Sequence, residues 1–130
     1  MQISHIEHLG IAVKSLADAI PYYENILGVK CYATEEVADQ KVKTAFFMVG
    51  QTKIELLEPT CPESTIASFI EKRGEGIHHV AFCVDNAANA LKEVEEKGVS
   101  RKGIIAQITE KRHCKIFPLD LKKSSGKDLT

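Results

Sequence analysis

One apolar run occurs twice in this chain. Near the N-terminus it reads Ile6-Glu7-His8-Leu9-Gly10-Ile11-Ala12-Val13, and further on Ile77-His78-His79-Val80-Ala81-Phe82-Cys83-Val84. A shift of 71 residues lays Ile6 on Ile77, His8 on His79, Val13 on Val84 and Ala19 on Ala90. In the same register Leu9 meets Val80, Gly10 meets Ala81, Ile11 meets Phe82 and Ile20 meets Leu91, and Gly28-Val29 matches Gly98-Val99 with a shift of 70. Agreement through a strand, a turn, a helix and its stop indicates an internal duplication. A duplicated unit this small leaves an apolar face uncovered by itself, so 130 residues are read as one domain whose two halves share a core.

Both runs have strand character, being rich in Val and Ile and ending in a polar turn. Alternate side chains of a strand share a face, which groups His8 with Gly10 and Ala12, and His79 with Ala81 and Cys83. Leu9, Ile11 and Val13, with Val80, Phe82 and Val84, form the opposite, packing face. Each histidine therefore stands on the face of small residues, where a roomy surface can form. After the first strand, Ser15 is a candidate N-cap with Asp18 three residues on, and Leu16, Ala19, Ile20, Tyr23 and Leu27 recur at helical spacing up to Gly28. Pro21 predicts some local distortion of that helix. Strands follow at about 29–37, 42–49 and 52–58, with Gly50-Gln51 as a turn and Pro59 as a stop, completing a β-α-β-β-β module over about 5–59. Residues 60–75 read as a linker with a short helix built on Ile66, Ala67, Phe69 and Ile70. A second module spans about 76–130 and loses definition after Val99; Ile104, Ile105 and Ile108 fit one strand and Cys114 to Leu119 another. The predicted class is α+β, two such modules forming a curved mixed sheet around a metal site.

A net charge of −1 gives no electrostatic reason to expect nucleic acid or an anionic membrane as partner. No apolar run approaches the ~20 residues of a membrane span, and Met1-Gln2-Ile3-Ser4-His5 lacks the form of a signal peptide. Cys31, Cys61, Cys83 and Cys114 are widely spaced with no Cys-x-x-Cys pair, which fits reduced thiols in a cytoplasmic protein. Gly74-Glu75-Gly76 lacks the strand-before, helix-after setting of a phosphate loop. The charged runs Glu71-Lys72-Arg73 and Glu93 to Lys97 are read as solvated faces, and Tyr22 and Tyr23 as core and boundary residues.

Two repeat-matched histidines make half of a metal site, and a divalent ion needs three or four ligands. Glu55 is the candidate third. It stands in Lys53-Ile54-Glu55-Leu56-Leu57-Glu58, where a carboxylate among apolar neighbours is costly to bury unless paired or metal-bound. Taken alone, Glu55 reads as a solvated edge residue and His79 as a hydrogen-bonded core histidine; the matching His8 shifts both readings toward ligation. His78 falls on the packing side of its strand, a structural position, while His5 and His113 read as surface histidines.

At this point the sequence resembles a known family. Paired β-α-β-β-β modules with His8, Glu55 and His79 look like the vicinal-oxygen-chelate superfamily that includes glyoxalase I. Within it, His8 to Val13, Asp39-Gln40-Lys41-Val42-Lys43, Ile54-Glu55-Leu56-Leu57-Glu58-Pro59 and the run from Phe69 to Phe82 resemble the methylmalonyl-CoA epimerases. The run Glu71-Lys72-Arg73-Gly74-Glu75-Gly76-Ile77-His78-His79 is the part most particular to those epimerases, and the likeness covers about residues 5–100.

The resemblance implies an eight-stranded arrangement in which each module curls into a half-barrel around one divalent metal ion (Co²⁺, Zn²⁺, Mn²⁺ or Ni²⁺), a homodimer, and a coenzyme A thioester as substrate. The implied reaction interconverts the 2R and 2S forms of methylmalonyl-CoA through a metal-stabilised enolate, with an acid/base group on each face of the reacting carbon. The sequence departs from the family at two places. The family's last metal ligand is a glutamate in the final strand, where this chain reads Gly126-Lys127-Asp128-Leu129-Thr130, leaving Asp120 or Asp128 as substitutes or the activity impaired. Some members carry a glutamate base where this chain has Thr44, so no catalytic acid/base pair is assigned. A glyoxalase-type lyase or isomerase and a non-catalytic ligand-binding member of the superfamily are the alternatives.

Overall fold

The computed structural model describes residues 2–98 and the backbone of residues 114–117. The predicted strand at 104–108, together with His113, Asp120 and Asp128, lies outside the described residues. The fold is mixed α+β, in the order β1 (Ile3–Ala12), α1 (Leu16–Leu27), β2 (Cys31–Val37), β3 (Val42–Val49), β4 (Thr52–Pro59), α2 (Thr65–Arg73), β5 (Gly76–Val84), α3 (Ala87–Glu96) and β6 (Cys114–Phe117). A short 3-10 turn at Ala38–Gln40 joins β2 to β3.

The duplication is visible in how the helices begin. Ser15 caps α1 by accepting from the backbone N–H of Asp18, and Asn86 caps α3 by accepting from that of Asn89. These positions differ by 71 residues in each case, and the two caps share an extended backbone, φ −149° and −147°. Each side chain satisfies one N–H that the first turn leaves without a helical partner. Gly28 ends α1 in the left-handed conformation at φ 68°, which lets its N–H reach the Glu24 carbonyl. Pro21 does not interrupt α1. Its missing N–H removes one helical bond on an exposed position, and the packed face continues through it.

The described chain falls into two compact units, Leu9–His78 and Met1–His8 with the residues from His79 onward, so that β1 and β5 each contribute to both. In the first unit β2, β3 and β4 form an antiparallel ladder, with Thr44 opposite Glu35 on one side and Leu57 on the other. The end of β1 joins through the Val13 N–H, which donates to the Leu57 carbonyl at 2.9 Å. Alternation along these strands gives two buried faces. On one, α1 packs Leu16, Ala19, Ile20 and Tyr23 against Val13, Ala45, Phe47 and Leu56. On the other, α2 packs Ile66, Phe69 and Ile70 against Ala12, Val42 and Leu57. The small side chain of Ala12 is therefore fully covered where an open surface was expected: small residues there make room for α2.

In the second unit β1 lies beside β5, and β5 pairs antiparallel with β6, Val80 opposite Phe117 and Cys83 opposite Cys114. Val84, Ala87 and Ala90 form its small apolar cluster where β5 turns into α3.

Candidate metal centre

Three contacts fix how β1 meets β5. Gln2 and Asp85 exchange hydrogen bonds at 3.1 and 3.2 Å, the Ser4 hydroxyl donates to the Cys83 carbonyl at 3.4 Å, and His8 touches His79. One strand advances as the other retreats, which is antiparallel pairing. Repeat-equivalent positions on two antiparallel neighbours face each other only when the pairing axis passes between them, and here it passes between His8 and His79. Directly opposed residues of this kind stand close enough for their side chains to interact.

Both imidazoles are buried, 5% and 8% exposed. Their Nε2 atoms lie 3.1 Å apart, with ring planes at 87° and centroids 5.2 Å apart. Two nitrogens bound to one ion at about 2.1 Å each stand roughly 3.0–3.4 Å apart, so the observed Nε2 separation already has the spacing a shared divalent cation requires. The donor chemistry fits as well, since imidazole suits Zn²⁺, Cu²⁺, Fe²⁺ and Ni²⁺.

Glu7 completes the buried group. Its Oε1 lies 2.7 Å from His8 Nδ1, and it is 5% exposed. A residue next to His8 in a strand starts out on the opposite face; the reach of glutamate brings the carboxylate round to the ring. A carboxylate only accepts, so this contact is a hydrogen bond when Nδ1 carries the ring proton. The sequence reading missed Glu7. The signal was present, an acid beside a repeat-matched histidine in an apolar run, but the duplication hid it because its equivalent is His78.

Glu55 is half-buried on β4 opposite Phe46, next to the fully buried Leu56, and belongs to the unit Leu9–His78. Thr44 is buried on β3. His78 packs as expected: its ring meets Phe69 edge-on with centroids 5.0 Å apart, and burial holds its pKa below the ordinary histidine value. His5 Nδ1 shares a hydrogen bond with the Ser4 hydroxyl at 2.9 Å. Tyr22 is 60% exposed, whereas Tyr23 lies against Phe47. Two acids in the stretches quoted above have architectural work. Glu58 accepts the Leu16 N–H at 2.6 Å, a carboxylate at a helix N-terminus, and Glu75 accepts the Lys14 N–H at 2.7 Å.

With this geometry in hand, comparison with known proteins is informative. A family profile described as the Glyoxalase/Bleomycin resistance protein/Dioxygenase superfamily matches residues 7–115. The uncharacterized protein YqjC of Bacillus subtilis is 40% identical over 97 residues, covering 75% of this chain and 69% of that one. The mitochondrial methylmalonyl-CoA epimerase of Homo sapiens is 34% identical over 98 residues, covering 75% of this chain; the match spans 56% of the human protein's length. Among solved structures, a Streptomyces coelicolor methylmalonyl-CoA epimerase in complex with 2-nitronate-propionyl-CoA superposes with a TM-score of 0.71 at 28% identity, over 80% of this chain and 74% of that one.

Proposed function

The chain belongs to the Glyoxalase/Bleomycin resistance protein/Dioxygenase superfamily, and from that premise we propose that it is a divalent-metal-dependent epimerase acting at C2 of methylmalonyl-CoA. The observation that carries this reading is the buried His8–His79 pair, with Nε2 atoms 3.1 Å apart at equivalent places in a duplicated sequence. His8 and His79 would hold the ion through their facing ring nitrogens. Glu55 is the proposed third ligand, a half-buried carboxylate flanked by Ile54 and Leu56 on β4. A divalent ion held there would supply Lewis acidity toward a carbonyl oxygen of the substrate.

The chain's own residues do the rest. The burial of both imidazoles excludes water from the ligand atoms, so the electrostatic attraction there is weakly screened. Thr44 stands where the resemblance implies a glutamate base in some members, and no acid/base pair is assigned in this chain. The substrate class is a coenzyme A thioester, and the working form is a homodimer. None of the described helices is long and apolar enough to cross a membrane.

The test is solvent exchange. The full chain loaded with Co²⁺ is incubated with methylmalonyl-CoA in D₂O, and deuterium is followed at C2 by mass spectrometry. Incorporation that disappears in His8→Ala, in a variant that remains folded at the assay temperature, supports the proposal. Turnover of a hemithioacetal without C2 exchange overturns it in favour of a glyoxalase-type reaction, and tight coenzyme A thioester binding without exchange marks a non-catalytic member.

A further inference from the structure

The Glu7 carboxylate is 2.7 Å from His8 Nδ1, His8 Nε2 is 3.1 Å from His79 Nε2, and all three side chains are buried. A neutral imidazole carries one N–H and one lone pair, and the partner of one nitrogen decides which atom has which. We propose that Glu7 is a positioning residue of the metal centre: by accepting the Nδ1 proton of His8 it fixes the tautomer that presents the Nε2 lone pair toward His79. The inference rests on the metal reading above, but its first consequence, the tautomer, exists in the metal-free chain.

The alternative is a structural pair that only stabilises the fold. The two are separable because a structural pair leaves metal affinity untouched once the chain is folded. Metal-bound histidines commonly donate their second nitrogen to a carboxylate, and removing that partner weakens metal binding about 10- to 100-fold. Glu7 fits this arrangement because its contact is with the nitrogen turned away from His79.

The experiment uses the full chain, ¹⁵N-labelled at histidine. At about pH 8.5, above the ordinary histidine range, long-range ¹H–¹⁵N spectra of the metal-free protein report the His8 tautomer, and Co²⁺ titration followed by its visible absorption reports affinity. Wild type is expected to show Nδ1–H at His8. Glu7→Met, close in size but with only a weakly accepting sulfur in place of the carboxylate, is expected to shift His8 toward Nε2–H and to bind Co²⁺ about 10- to 100-fold more weakly. Glu7→Gln, which keeps an acceptor oxygen, recovers the tautomer and falls between the two in affinity, and it carries the test if Glu7→Met fails to fold.

An Nε2–H tautomer in wild type overturns the inference, and so does wild-type Co²⁺ affinity in both variants. Loss of affinity in Glu7→Gln as complete as in His8→Ala also overturns it, because Glu7 is then itself a ligand. A wild-type chain that takes up no Co²⁺ sinks the metal reading, and the tautomer spectrum then judges Glu7's hold on His8 by itself.

Discussion

Buried polar side chains are tolerable only when their atoms are partnered, and Glu7 and His8 answer one another in this respect. Glu7→Ala leaves the Nδ1 N–H of a buried ring without that acceptor, so it is expected to cost about 1–3 kcal/mol, measured by urea unfolding of the metal-free chain. Tyr23 gives a second residue-scale test. Burial first, then the neighbouring Tyr22 and Glu75, raises its pKa above the ordinary tyrosine value. The folded chain therefore holds the phenolic proton more tightly than the unfolded chain does. That stability is fully present below about pH 10 and is lost as pH rises from there through the folded-state pKa. In Tyr23→Phe the alkaline fall in melting temperature is expected to be smaller than in wild type. At this scale the sequence was only partly legible. His8 and His79 stood out because each repeats the other, and His78 was correctly set apart, its ring packed on Phe69. Glu7, Glu58 and Glu75 did not stand out, since what a carboxylate accepts from is decided by atoms distant or turned away in sequence.

Elements were more legible than side-chain partners. Helix α1 begins after Ser15 and ends at Gly28 as the cap residues signal, because capping is decided within about one turn of chain. The Asn86 cap of α3 was found in the structure, at the position the duplication matches to Ser15. Ser15→Ala and Asn86→Ala are each expected to lower stability by about 1 kcal/mol, read from the denaturant midpoint, with the Gly variants losing only a few tenths. Strand β1 starts at Ile3, earlier than the apolar pattern suggested, because its first residues, exposed as they are, are held by Asp85 and Cys83. The open face expected beside Gly10 and Ala12 was misread for a related reason: period-two alternation says which residues share a face but not what covers it.

For the molecule as a whole, two consequences follow from where apolar bulk and donor atoms lie. Phe47 and Leu56 are fully buried beneath α1. Leu56→Ala is expected to cost about 2–5 kcal/mol, shifting the guanidinium midpoint with little change in slope. Metal uptake is expected to act in the opposite direction, since an ion that binds only the folded chain stabilises it by about 2.7 kcal/mol at a hundred times its Kd. A Co²⁺-dependent rise in melting temperature, abolished in His79→Ala, is the measurement. A melting temperature indifferent to Co²⁺ counts against the centre without touching the fold.

The sequence by itself determined the duplication, the α+β element order, the caps of α1 and the pairing of His8 with His79 as equivalent residues, because each is written in local periodicity or in self-similarity. The tertiary structure decided that β1 and β5 run antiparallel in the one register that turns those equivalents face to face, that Glu7 curls round to hold the outer nitrogen of His8, and that α2 covers Ala12. The first and last of these are settled by packing and hydrogen bonding between segments more than 50 residues apart in the chain, where no local preference reaches, and the second by the reach of one side chain round its own strand.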